Sequence, residues 1–178
     1  MANQVSKLAY VDSKLGVSLP GQQTTRVIYD SINAVAGQTN FAFFQNFAGK
    51  NVFQSNLTTN KLDSAESMVI KSVQIIVNSG TVLLTEHLNL DIIVGNQTVI
   101  KDFDPSFNAT SRGLSFDRLH SGFNDATTLE FRLLTDIVIP PQVNFRANLI
   151  TSSGATLNDD VTIIFKGYGR IFSAGNSF

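Results

Sequence analysis

The fold class is indicated by one segment near the C-terminal end, Asp160-Val-Thr-Ile-Ile-Phe-Lys-Gly-Tyr-Gly-Arg-Ile-Phe172. Its apolar residues share one phase of a two-residue period with two glycines: Val161, Ile163, Phe165, Gly167, Gly169 and Ile171. The opposite phase holds Thr162, Lys166 and Arg170, together with Ile164 and Tyr168. Because successive side chains of a strand point to opposite faces, this pattern predicts a strand with one face on a core.

Seven further segments have strand character, and almost nothing in the chain has a helical period. They are Thr25–Asp30, Thr39–Phe47, Met68–Asn78, Leu88–Val94, Gln97–Phe103, Leu129–Ile139 and Gln142–Ile150. Gly95-Asn96 is a two-residue turn signal, which predicts a hairpin between the fourth and fifth of the eight segments. Turn-rich spacers of uneven length predict an all-β protein, an antiparallel β-sandwich with a single eight-stranded jelly roll and an extended N-terminal arm.

Two segments have less regular patterns. Met68–Asn78 is apolar in both phases, which predicts a β-bulge or a strand buried on both faces. The long connection Asp104–Thr128 is typical of a functional loop or of one with its own packing, and we interpret Ser115–Leu119 within it as a helical turn.

A length of 178 residues favours a single domain, and the sequence pattern divides the chain into three parts. Residues 1–24 are predicted to be an N-terminal arm, residues 25–172 the jelly-roll domain, and residues 173–178 a C-terminal tail. The ends carry short apolar anchors that a neighbouring subunit can bury. The predicted assembly contacts are Leu8, Tyr10, Val11, Phe172 and Phe178.

The composition argues for a protein that works through its surfaces. Charged residues make up 15% of the chain, against about 25% in typical domains, and Asn, Ser and Thr supply the polarity. An uncharged polar surface is easier to dehydrate at an interface, although frequent β-turns favour the same residues. The chain has 14 Phe but no Trp and 3 Tyr.

The charge distribution gives no general attraction for nucleic acid. The net charge is -1 and the pI about 6.1, and the N-terminal region offers only Lys7, Lys14 and Arg26. We therefore predict no direct nucleic-acid binding by a basic arm. The chain has no cysteine, no visible secretory signal and no apolar run near the ~20 residues of a membrane span. Membrane contact is left open.

No catalytic motif and no histidine or cysteine metal motif is present, so we predict no enzymatic activity and no cofactor. His87 and His120 are distant in sequence, and Asn89 stands where a cupin-type metal site would need a second histidine. Lys50, in Gly49-Lys50-Asn51, is interpreted as a solvated turn residue. The carboxylate pairs Asp102/Asp104 and Asp159/Asp160 fit either a calcium site or ordinary turn chemistry, and both interpretations stay open.

Three segments together resemble the single jelly-roll capsid proteins of tailless icosahedral bacteriophages. They are Phe41-Ala-Phe-Phe-Gln-Asn-Phe47, Asn60-Lys-Leu-Asp-Ser-Ala-Glu-Ser-Met-Val-Ile-Lys71 and Ile137-Val-Ile-Pro-Pro-Gln-Val-Asn-Phe-Arg-Ala-Asn-Leu149. The resemblance covers residues 25–172 as a pattern of strands. It implies a virion location and a structural role, in which copies of the chain and other capsid proteins tile a shell. The arm departs from small RNA-virus coat proteins of this fold, whose arms are often strongly basic.

The leading hypothesis is thus a viral capsid protein that self-assembles into an icosahedral shell. The alternative is a carbohydrate-binding or receptor-binding β-sandwich, such as a phage receptor-binding head or a lectin. The absence of Trp and the scarcity of Tyr count against the alternative, because sugar sites usually stack an aromatic ring on the ligand.

Overall fold

The structure is a computed structural model that describes residues 21–35, 37–77, 88–103, 116–120, 127–151 and 160–172. These residues form nine strands. The strands are β1 (Gly21–Asn33), β2 (Asn40–Phe43), β3 (Glu66–Val77), β4 (Leu88–Val94), β5 (Gln97–Phe103), β6 (Phe116–His120), β7 (Thr127–Ile139), β8 (Phe145–Thr151) and β9 (Asp160–Phe172). The described part of the chain contains no helix that is long and apolar enough to cross a membrane.

The strands form two antiparallel sheets, one in the order β1-β9-β3-β7-β6 and the other in the order β2-β8-β4-β5. The pairs are nested. β1 pairs with β9, β2 with β8, β3 with β7 and β4 with β5. A ribbon of antiparallel pairs rolled up in this way is a jelly roll. The predicted eight-stranded jelly roll is therefore confirmed, and the short β6 extends one sheet.

The core lies between the inner faces of the two sheets. The predicted apolar face of β9 is confirmed, because Val161, Ile163 and Phe165 are buried. Phe44 lies between the sheets, with its ring centroid 5.3 Å from that of Phe145 and 5.0 Å from that of Phe165. Such tilted aromatic pairs stabilise a core beyond the area that they bury.

A β-bulge in β3 shapes the centre of the five-stranded sheet. The register of β3 shifts between Ile70 and Ser72 against both β7 and β9, as the two-phase apolar pattern of this segment predicts. The bulge brings the backbone of Val69 close to Gly167, where a Cβ would lie 1.9 Å from the Val69 carbonyl oxygen. Gly167 therefore occupies a position that no larger residue fits without movement of the backbone.

Several predicted bounds differ from the structure. β1 begins at Gly21, within the segment assigned to the arm, because Gly21–Thr24 pairs with the end of β9. β2 ends at Phe43, since Phe44 has a φ of 59° and leaves the strand. The predicted helical turn over Ser115–Leu119 is wrong. Phe116–His120 is the strand β6, which pairs with Thr127–Phe131 of β7.

Candidate assembly surfaces

A loop covers the outer edge of β1, and we call residues 44–57 the β1-edge loop. The Ser31 N–H donates to the Gln54 carbonyl oxygen at 2.7 Å, and Asp30 forms an isolated β-bridge with Ser55. The Asn56 side chain donates to the Val27 carbonyl oxygen at 2.7 Å and accepts from the Tyr29 N–H at 3.0 Å. The loop thus satisfies backbone groups that an edge strand would otherwise leave to water or to another chain.

A buried carboxylate anchors the same loop to β1. Asp30 is 0% exposed, and its two carboxylate oxygens accept hydrogen bonds from Lys50 Nζ at 2.6 Å and from the Phe44 N–H at 2.8 Å. The Lys50 side chain is only 16% exposed, so its interpretation as a solvated turn residue is wrong. Lys50 instead neutralises a charge that burial would make very unfavourable alone.

The tip of the β1-edge loop has a fixed backbone and an apolar surface. The Asn51 side-chain oxygen accepts from the Phe53 N–H at 2.9 Å. The Asn51 backbone carbonyl oxygen accepts from the Gln54 N–H and the Ser55 N–H, each at 3.0 Å. The Tyr29 hydroxyl donates to the Val52 carbonyl oxygen. Val52 is nevertheless 65% exposed and Phe53 86% exposed. We call these two side chains the apolar knob.

At the opposite edge of the sandwich, the described residues form a recess. β5 is the last strand of its sheet. On the same side of the sandwich, β6 pairs with residues Thr127–Phe131 of β7. Beyond Phe131, toward Ile139, no described strand pairs with this edge of β7. Between them lies an apolar groove of about 440 Å³, lined by Val99, Ile100 and residues 131–138. We call it the β5–β7 groove, and Leu134 at its side is 86% exposed.

Three ion pairs between described residues join strands of the five-stranded sheet. Lys71 Nζ contacts both oxygens of Asp136 at 2.7 and 2.8 Å. The other pairs are Arg26 with Glu66 at 3.1 Å and Lys166 with Glu130 at 3.0 Å. Asp136 is the one carboxylate among the described residues that line the β5–β7 groove, and it already has a cationic partner.

A polar cleft of about 330 Å³ lies where the β4–β5 hairpin meets the start of β8. Its lining combines amide, hydroxyl and guanidinium groups with two apolar residues: Asn60, Asn96, Thr98, Asn144, Arg146, Ile93 and Phe145. Backbone hydrogen bonds fix its shape, from the Gly95 N–H to Asn144 at 2.7 Å and from the Phe145 N–H to Asn60 at 2.9 Å. The cleft can offer several donors and acceptors to a polar ligand.

The assembly contacts predicted from sequence are not brought together in the part of the chain that the structure describes. Leu8, Tyr10, Val11 and Phe178 lie outside it, and the backbone of Phe172 pairs with Gly21 at the end of β9. These contacts stay predictions.

Most of the residues considered for metal binding lie outside the part of the chain whose side chains the structure describes. His87, Asp104 and Asp159 lie outside the described residues, and His120 and Asp102 are described only in their backbone, in β6 and β5. Within the described ranges, no group of three His, Cys, Asp or Glu side chains is close enough to hold a metal ion.

Sequence reasoning missed both the apolar knob and the β5–β7 groove. The sequence marks the knob only as two adjacent apolar residues, Val52-Phe53, between the amides Asn51 and Gln54. No short segment of the sequence indicates the groove, because its lining comes from β5 and β7, which belong to different sheets.

The nested strand pairs define the class of protein as a single jelly roll. The structure is similar to a solved structure from Desmodium yellow mottle tymovirus, with a TM-score of 0.36 and 10% sequence identity, over 91% of this chain and 94% of that chain. Because the TM-score is this low, we identify the fold from the strand order and not from the similarity to that structure. No protein-family model matches the chain, and no curated protein matches its sequence.

Proposed function

We propose that this protein is a structural, non-enzymatic component of a virion, a capsid protein that self-assembles into an icosahedral shell. The virus would be a tailless bacteriophage, as the sequence resemblance implies. Since a jelly roll serves many functions, the fold supports this proposal only in combination with the surfaces that it carries.

The observation that carries the proposal is the pair of apolar surfaces at the two lateral edges. Phe53 and Leu134 are each 86% exposed, on opposite sides of the sandwich. Large exposed apolar side chains are typical of interaction sites when they cluster with other apolar groups. A subunit with apolar contacts on two sides can bind two neighbours, which is the minimum for a ring or a shell.

The proposed partners are copies of the same chain and other capsid proteins. The segments 1–24 and 173–178 would add contacts through Leu8, Tyr10, Val11, Phe172 and Phe178. Burial of such a side chain contributes about 1.5–3 kcal/mol, while ordering the backbone costs roughly 1–2 kcal/mol per residue. These segments would therefore become ordered only against a neighbouring subunit.

The test is to purify the full chain and follow its size by sedimentation velocity and electron microscopy over a range of salt and pH. We expect rings, pentamers, hexamers or closed shells, and modest sensitivity to salt because the contacts are largely uncharged. A strict monomer at high concentration under all these conditions would contradict the proposal.

A second candidate function follows from the polar cleft. Amide and hydroxyl groups beside Arg146 suit a carbohydrate or another polyol, so the chain would be a receptor-binding module. A glycan array compares the native chain with Arg146→Ala, and with Arg132→Ala as a control outside the cleft. Binding that only Arg146→Ala removes, by a chain that stays monomeric, would favour this function over the capsid role.

A further inference from the structure

We infer that the apolar knob of one subunit inserts into the β5–β7 groove of the next copy, which makes a head-to-tail contact between opposite edges of the sandwich. This inference rests on the proposed self-assembly and specifies the surfaces that perform it. Its occupant is a second copy of this chain, and the inserted residues are Val52 and Phe53.

The apolar knob has the properties of a binding element that is organised before binding. Phe53 is 86% exposed, yet its N–H is held by the Asn51 side chain and the neighbouring carbonyl of Val52 by Tyr29. The loop below it is fixed by the buried pair of Lys50 and Asp30. A contact made by such a loop costs little ordering entropy, and buried aromatic side chains are frequent binding hot spots.

The β5–β7 groove matches the knob in chemistry. Val99, Ile100 and Leu134 supply apolar walls within about 440 Å³, which suits one aromatic and one branched side chain. The groove carboxylate Asp136 is already bound by Lys71 at 2.7 Å. The loop tip from Asn51 to Gln54 carries no charge, so docking buries no unpaired carboxylate, which would otherwise be strongly unfavourable.

The position of the two surfaces decides the kind of assembly. The β1-edge loop lies against β1 at one end of the five-stranded sheet, whereas β7 and β5 lie toward the other end of each sheet. A contact between two different surfaces is heterologous, so each copy that joins presents a new groove or a new knob. Such contacts continue until the rotation between neighbours closes a ring, which a pentamer or hexamer of a shell requires.

The absence of cysteine from the chain permits a direct test by cross-linking. Val52→Cys and Leu134→Cys are made separately in the full chain, and the two proteins are mixed, assembled and treated with a short bis-maleimide. We expect a covalent dimer from the mixture and little from either protein alone. The control replaces Val52→Cys by Thr58→Cys, an exposed position outside the loop, and should give little dimer.

A second measurement separates binding from folding. Phe53→Ala and Leu134→Lys should each raise the protein concentration needed for assembly at least tenfold, with unchanged circular dichroism. The Leu134→Cys thiol should react with a soluble maleimide in dissociated subunits and become protected in assembled ones. Protection in both states would mean that the groove is covered by the subunit's own chain, which overturns the inference.

The outcomes distinguish the inference from the proposed function. If the native chain assembles but Val52→Cys and Leu134→Cys do not cross-link and Phe53→Ala assembles normally, the knob-in-groove contact is wrong and the capsid role stands. A dimer formed by Val52→Cys alone would indicate a symmetric contact and would also overturn the inference. If the native chain does not assemble at all, both are wrong.

Discussion

The two lateral edges of the sandwich differ in how the unpaired backbone groups of their edge strands are treated. At the β1 edge, the loop formed by residues 44–57 supplies hydrogen-bond partners to the strand, through Gln54 and Asn56. At the β7 edge, β6 stops pairing at Phe131, and an apolar groove follows. The first edge is covered and presents a projection, whereas the second is a recess.

This difference separates two tasks that an edge would have in the self-assembly that we propose. An uncovered, regular edge strand can pair with any similar strand, which leads to aggregation. The β1-edge loop blocks that pairing but still displays Val52 and Phe53. Specific association can then use side chains, whose shape and chemistry discriminate between partners better than a backbone ladder does.

The largest expected effect comes from the buried anchor of the covered edge. Asp30→Ala leaves Lys50 and the Phe44 N–H without their partner, and breaking a buried pair from one side costs about 3–5 kcal/mol. We expect a loss of this size in the free energy of unfolding, measured by urea denaturation.

The matched control for Asp30→Ala lies at the other edge. Asp136→Ala breaks the pair with Lys71, whose side chain is 44% exposed and can be rehydrated, so the expected cost is roughly 0–1 kcal/mol. Equal losses for the two variants would show that Asp30 does not anchor the loop in the way described.

A smaller effect is expected when the loop loses only the hydrogen bonds that Asn56 makes with β1. Asn56→Ala removes the hydrogen bonds to Val27 and Tyr29, each worth about 1 kcal/mol net. Hydrogen exchange should become faster at the Tyr29 and Ser31 amides and stay unchanged in the β3–β7 ladder. Thr58→Ala, a nearby exposed substitution, should leave all these rates as they are, and faster exchange throughout the sheet would contradict local release.

The smallest effect on folding is expected at the apolar surfaces themselves. Phe53→Ala and Leu134→Ala should change the free energy of unfolding of the dissociated subunit by no more than about 0.5 kcal/mol, because both side chains are exposed. Phe43→Ala, in the core, should by comparison cost about 3–5 kcal/mol. A large loss in Phe53→Ala would mean that the side chain packs within its own subunit.

The sequence predicts elements whose signals are local. The bounds of β4, β5 and β9 follow from alternation and from the Gly95-Asn96 turn. The bulge in β3 is one of the two possibilities that its two-phase apolar pattern left open. The bounds of β1 and the existence of β6 depend on partners elsewhere: Gly21–Thr24 is polar, and Phe116–His120 forms a strand because β7 supplies a ladder. Tertiary pairing there overrides a weak local preference.

The candidate site was harder to predict than the fold. Lys50 looks like any turn lysine until Asp30 is known to lie beneath it, a contact between residues of different elements. The groove requires residues of β5 and β7, which belong to different sheets, to line one surface, and no short segment encodes that. Local patterns therefore indicate which residues are apolar, but only the assembled sandwich shows which apolar residues remain at its surface.

The pairing of β1 with β9 also bears on the order in which the parts of the domain can form. β1 forms its ladder along all 13 residues with β9, the last of the nine strands, so during synthesis it waits for the far end of the domain. The β1-edge loop rests on β1, because its tip and its buried anchor bond to Tyr29, Asp30 and Ser31. Long-range pairing of this kind is slow to form. Under the proposed capsid function, the strand that supports the apolar knob would complete its ladder last, which would keep partly made subunits out of the assembly.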